Sequence, residues 1–113
     1  MNQAIAIDRR TSVRTRKSIE VEYSADCQWI KARLDDLSED GAFIDTQHGM
    51  SEGSELALRF SLSDGRTEAQ EVRCKARVVW REARIGIGVE LVDLDEATRE
   101  QIRLFVASQL FGW

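Results

Sequence analysis

Residues 55–66 read ELALRFSLSDGR, and their spacing decides the fold. Leu56, Leu58, Phe60 and Leu62 alternate with Glu55, Ala57, Arg59 and Ser61, the two-residue period of a strand with one face buried. A helix would space its apolar residues three and four apart instead. The following Ser63-Asp64-Gly65-Arg66 contains Asp-Gly, a dipeptide suited to the positive φ angles of a tight hairpin. Val72, Cys74, Ala76, Val78 and Trp80 then alternate again, so the two runs predict an antiparallel hairpin.

The same pattern extends in both directions. Upstream, Ile19, Val21 and Tyr23 form one apolar face, and Ile30, Ala32 and Leu34 form another. After DDLSEDG (residues 35–41), AFIDT (residues 42–46) predicts a third strand, and Gly49 and Gly53 mark a loop. Downstream, REAR (residues 81–84) turns the chain, and Ile85, Ile87, Val89 and Leu91 give the last strand. Short strands with close turns predict antiparallel hairpins closing into a barrel or a sandwich. From Asp95 the period lengthens, with Ala97, Ile102, Phe105, Val106 and Leu110 at helical spacing. Asp93 or Asp95 is placed to cap that helix, with Glu96 three residues after Asp93 in capping-box register. Phe111 and Trp113 come after it, and the expectation is that they fold back on the body rather than form an exposed patch. Residues 1–9 lack periodicity and read as a flexible arm, which leaves residues 10–113 as a single domain.

Composition narrows the class. The chain has 113 residues, 42% hydrophobic and 32% charged, the profile of one globular domain. No apolar run approaches the ~20 residues of a membrane-spanning helix, so no membrane insertion and no secretory signal are expected. Cys27 and Cys74 are far apart and in no metal-ligand pattern, which points to free thiols in the cytoplasm. His48 is the single histidine, so zinc catalysis has little to build on. No GxSxG elbow or phosphate-cradling loop is present. GIGVE (residues 86–90) is not GxGxxG and lies inside a strand pattern. The reading is therefore not an enzyme, with no metal and no cofactor.

Charge is unevenly spread. The formal net charge is −4, yet residues 1–34 carry seven bases against four acids, chiefly in RRTSVRTRK (residues 9–17). That is a local anion site rather than a globally basic protein. Arg9, Arg10 and Arg14 offer planar forks of donors, suited to a phosphate, to the O6/N7 edge of guanine, or to stacking on a base. An ionised Asp36 only accepts hydrogen bonds, and guanine presents N1–H and N2 donors at its opposite edge. Ser38 can donate or accept beside it. If the backbone there is extended, Asp36 and Ser38 point the same way, with Gly41 supplying a positive φ for the turn.

RRTSVR, DLSEDG and RVVWREARIGIGVEL together resemble the PilZ domain family, from Asp8 to Leu110. The resemblance implies a six-stranded antiparallel β-barrel with a C-terminal α-helix, acting as a receptor for the bacterial second messenger cyclic di-GMP. It implies that Arg10 and Arg14 grip phosphate and guanine, that Asp36 and Ser38 hydrogen-bond guanine, and that Gly41 shapes the turn. Arg9 resembles the extra arginine of members that hold two stacked ligand molecules. Trp80 stands where members can place an aromatic beside the ligand, although its alternation with Ala76 and Val78 expects core packing with one ring edge in the site. The implied mechanism is an arginine arm that orders over the bound ligand and changes what an effector protein meets. The alternative is a ligand-independent adaptor acting through the terminal helix and tail. A nucleic-acid partner is disfavoured, because such proteins pair a basic groove with several aromatics, whereas the isoelectric point is about 5.0 and aromatics are 7%.

Overall fold

The computed structural model describes residues 18–63 and 68–111. The expected arm, with Arg9, Arg10 and Arg14, lies outside the described residues, as does Trp113. Among the described residues are six strands and one helix: β1 (Ile19–Ser24), β2 (Ile30–Asp35), β3 (Gly41–Asp45), β4 (Glu55–Leu62), β5 (Gln70–Glu82), β6 (Gly86–Val92) and α1 (Glu96–Phe111). All strand pairs are antiparallel, and they close into a barrel in the order β1-β2-β3-β6-β5-β4. The barrel, not the sandwich, is therefore the outcome. Closure rests on the pairing of β1 with β4 and of β3 with β6.

Alternation places the core inside. Leu56, Leu58, Phe60 and Leu62 of β4 are buried, and they meet Val21, Tyr23, Leu34, Ile44, Val72, Ala76, Val78, Ile87 and Val89 from the other strands. The Tyr23 hydroxyl finds partners inside this apolar setting. It shares a 2.9 Å hydrogen bond with Thr46 Oγ1 and donates to the His48 carbonyl at 3.1 Å, tying β1 to the loop after β3. Helix α1 adds Ile102, Phe105 and Val106 to the same core. Its N-cap is Asp95, whose carboxylate accepts the Thr98 N–H at 2.8 Å; hydrogen bonding from the Thr98 side chain first, and from its N–H second, holds the carboxyl pKa below the usual value. The capping box expected from Asp93 and Glu96 does not form. Asp93 sits in a left-handed turn (φ 56°), and Glu96 pairs with Arg103 at 2.8 Å. Ala97 and Leu104 face outward, so the apolar stripe of α1 is narrower than its composition implied.

Two expectations fail at the β5–β6 end. Val78 pairs with Val89 and Trp80 with Gly88, so Val79 is an extra residue, a β-bulge in β5. Alternation then breaks. Val78 is 1% exposed, but Val79 and Trp80 are 46% and 45% exposed, so Trp80 is on the outside and not in the core. Ile85, expected in the last strand, lies exposed in the turn before β6, beside Arg84 with φ 65°.

The packing sets two expectations. Leu58→Ala in the barrel core should lose about 2–5 kcal/mol in urea unfolding, whereas Leu104→Ala on the exposed face of α1 should stay within about 0.5 kcal/mol; a neutral Leu58→Ala would contradict a close-packed barrel. Cys27 and Cys74 are both free thiols, the first exposed, the second half-buried with its pKa pushed up to about 11 by burial. Iodoacetamide near pH 8 should therefore label Cys27 quickly and Cys74 only on unfolding. Equal rates by mass spectrometry would mean that β5 opens in the native state.

Candidate functional site

The turn between β2 and β3 is built by its own side chains. Asp36 adopts a left-handed conformation (φ 53°) directly after β2, which ends the extended run. Leu37 then plugs into the core and Ser38 is fully buried. The Ser38 hydroxyl accepts from the Asp40 N–H at 3.1 Å and the Gly41 N–H at 3.3 Å, and it faces the Gly41 carbonyl as a long donor at 3.4 Å. The Ser38 N–H donates to that same carbonyl at 2.9 Å. Ser38 is thus the inner brace of the turn. Asp36 and Ser38 do not point the same way: Asp36 is exposed and Ser38 is buried, because the backbone between them is not extended.

Gly41 has a different task from the one expected. Its φ is not positive. It is the first residue of β3, opposite Glu90 of β6, where a Cβ would overlap the Val89 carbonyl oxygen. Glycine is needed for close approach of two strands rather than for the chain reversal.

Helix α1 braces the turn from the other side. Arg99 reaches Glu39 at 3.3 Å and Asp40 at 3.9 Å, and Arg103 reaches Glu39 at 3.6 Å. Each such half-exposed pair contributes little alone, about 0–1 kcal/mol, but two guanidinium groups on one carboxylate limit where the turn can sit. The Leu91 N–H adds a 2.9 Å bond to the Asp40 carbonyl.

Beside the turn, the outer face of β3, β6 and β5 forms an open groove of about 460 Å³, lined by Asp36, Asp40, Gly41, Ala42, Phe43, Val79, Trp80, Glu82, Gly88, Val89 and Glu90. The Trp80 ring lies 5.3 Å from that of Phe43, tilted by 31°. The rim is acidic, although Glu90 is neutralised by Arg77, with bonds of 2.7 and 2.9 Å from its guanidinium. The groove thus offers apolar ring faces flanked by carboxylates. It can accept the donors of a flat heterocycle, but by itself it repels anions.

Of the residues singled out from the sequence, Asp36, Gly41 and Trp80 come together on this groove, and Ser38 stands behind it. Arg9, Arg10 and Arg14 lie outside the described residues. The sequence reading missed Phe43, Val79 and Gly88. The signal for Phe43 was its position between Ala42 and Ile44, both inward, which puts it outside. Nothing in the spacing of RVVW announces a bulge, so Val79 and Trp80 were not separable from core positions.

Known proteins share this architecture. The family model described as "PilZ domain" matches residues 8–108. No curated protein matches. Among solved structures, the Bacillus subtilis inhibitor of motility (MotI/DgrA) is similar with a TM-score of 0.77 and 15% identity, over 92% of this chain and 52% of that one. The chain thus spans about half the length of that protein. The PilZ domain of CeSA from a cellulose-synthesizing bacterium is similar with a TM-score of 0.58 and 21% identity, over 88% of this chain and 95% of that one. At these identities the structural likeness concerns the fold. No helix among the described residues is long and apolar enough to cross a membrane. The family match covers most of the sequence and the barrel agrees with it: the chain belongs to the PilZ domain family.

Proposed function

We propose that this chain is a cyclic di-GMP receptor in which the arginines of RRTSVR close over a ligand seated in the groove of Asp36 and Trp80. The carrying observation is where the chain enters the barrel. Ser18, the residue after RRTSVRTRK, donates a hydrogen bond from its hydroxyl to the Asp35 carboxylate, next to Asp36. Arg14 lies four residues before Ser18, so covalent geometry lets it reach at most ~14 Å from there, and Arg10 about twice that. The groove therefore lies on the side of the barrel from which the segment carrying the arginines departs, which supports their acting there.

Charge supports the same division of labour. A cyclic dinucleotide carries two phosphates, and the groove rim is carboxylate-rich. The cations must come from elsewhere, and RRTSVR is the densest local source. Asp36 is exposed at the rim and suits the N1–H and N2 donors of guanine. Trp80 and Phe43 offer ring faces to the base. Ser38 contributes by holding the turn that presents Asp36. Arg9 adds a further cation for a second ligand molecule. An arm that settles over a bound dianion changes the surface that an effector protein in the cytoplasm meets, and the differential contacts are the arginines themselves.

Calorimetric titration of the full chain with cyclic di-GMP tests this reading. Arg10→Ala and Arg14→Ala should each weaken binding by tens-fold, since a charge-assisted contact contributes about 1.5–3 kcal/mol. Asp36→Ala should weaken it by about tenfold or more, and raising the salt should weaken the parent. Parent-like affinity in both arginine variants would remove the arm from the site. Absence of heat and of competition with the parent would remove the receptor reading altogether.

A further inference from the structure

The GIG of β6 has an outward glycine at Gly88, directly beneath the Trp80 ring. A Cβ built on Gly88 would overlap Nε1 and Cε2 of the indole and lie 2.6 Å from Cδ1. Its three nearest atoms all belong to that one side chain. Gly86, two residues earlier, differs in part: a Cβ there would overlap the Ile44 carbonyl oxygen, an atom of the β3 backbone, as well as Cζ and Cε2 of the Phe43 ring. Gly86 thus answers both the close approach of β3 and the Phe43 ring, whereas at Gly88 the Trp80 indole alone sets the requirement. Gly88 also pairs with Phe43 on one side and Trp80 on the other, so the indole crosses β6 toward Phe43 with no side chain between.

From this we infer that Gly88 is a positioning residue: its missing side chain lets the Trp80 indole lie down on β6 against Phe43, with the opposite ring face open to a flat ligand. The bulge at Val79 brings the indole to the outer face, and Gly88 sets its height and tilt. Any Cβ at position 88 would lift the ring and occupy part of the groove. The ligand class this serves is a planar heterocyclic base, which gains from an ordered π face. The ligand side of the inference rests on the receptor reading above; the seating of the ring does not.

The test uses the full chain and three variants: Gly88→Ala, Trp80→Ala and the double variant. First, the indole N–H resonance of Trp80, identified by its loss in Trp80→Ala, should shift in Gly88→Ala while that of Trp29 stays. Second, Gly88→Ala should melt below the parent and the double variant should recover to the level of Trp80→Ala, because removing the ring removes the clash. Third, Gly88→Ala should bind cyclic di-GMP about tenfold or more weaker, as Trp80→Ala does, with no further loss in the double variant. An unmoved Trp80 resonance, or a double variant no more stable than Gly88→Ala, overturns the seat. If the parent itself does not bind cyclic di-GMP, the receptor reading fails, and the resonance and melting comparisons still decide the role of Gly88.

Discussion

A strand presents alternate residues to alternate faces, so a single residue inserted into one partner of a pair reverses every side chain beyond it. Val79 is that residue. Before it, β5 keeps a strict inward apolar register through Val72, Ala76 and Val78. After it, Trp80 has changed sides, and the largest side chain of the strand stands on the surface against Phe43 instead of in the core. The groove depends on this reversal. Without the bulge, the outer face of β5 beside β6 would carry no ring, and the barrel interior would have to accommodate an indole among residues already close-packed.

The groove and the turn beside it are held by different interactions. The floor is sheet: Phe43 and Gly88 are opposed in a ladder, and Gly41 keeps β3 tight against β6. The turn is loop, and loops need internal hydrogen bonds to hold one shape. Ser38 supplies them from inside and Leu37 anchors them in the core, while Arg99 and Arg103 press on Glu39 from α1. Asp36 is thereby held at the rim by residues that need not touch a ligand. Substituting Ser38 would disturb the turn itself, and on the proposed reading recognition only through it.

Much of this was legible in the sequence, and the reasons for the rest are specific. Alternation in IEVEY, IKARL and ELALRFSL reported strands correctly because one face of each is buried, the condition under which period-two patterning is informative. The helix was visible for the corresponding reason. Closure into a barrel was reached through the family resemblance and not through spacing, since pairing of β1 with β4 and of β3 with β6 leaves no mark on local alternation. Asp36, Gly41 and Trp80 were singled out, yet the local geometry expected of them was wrong. Asp36, not Gly41, takes the left-handed conformation; an aspartate tolerates it because its short polar side chain bonds locally. Gly41 answers a tertiary approach that only the neighbouring strand reveals. Trp80 was assigned to the core by an alternation that a bulge had already broken.

These placements imply how affinity and selectivity divide on the proposed reading. A preorganised floor binds without reordering itself, so what it discriminates is shape and donor pattern: flat rings against Trp80, donors toward Asp36. Its carboxylate rim, left alone, disfavours the anionic ligand that its rings would suit. On that reading the arginines that precede Ser18 would resolve the conflict by coming down over the groove. The barrel would then set which ligand is accepted, and the closing of the arm would carry the response. A signal of this design needs little motion in the barrel, because the change that a partner can sense is the position of a few guanidinium groups.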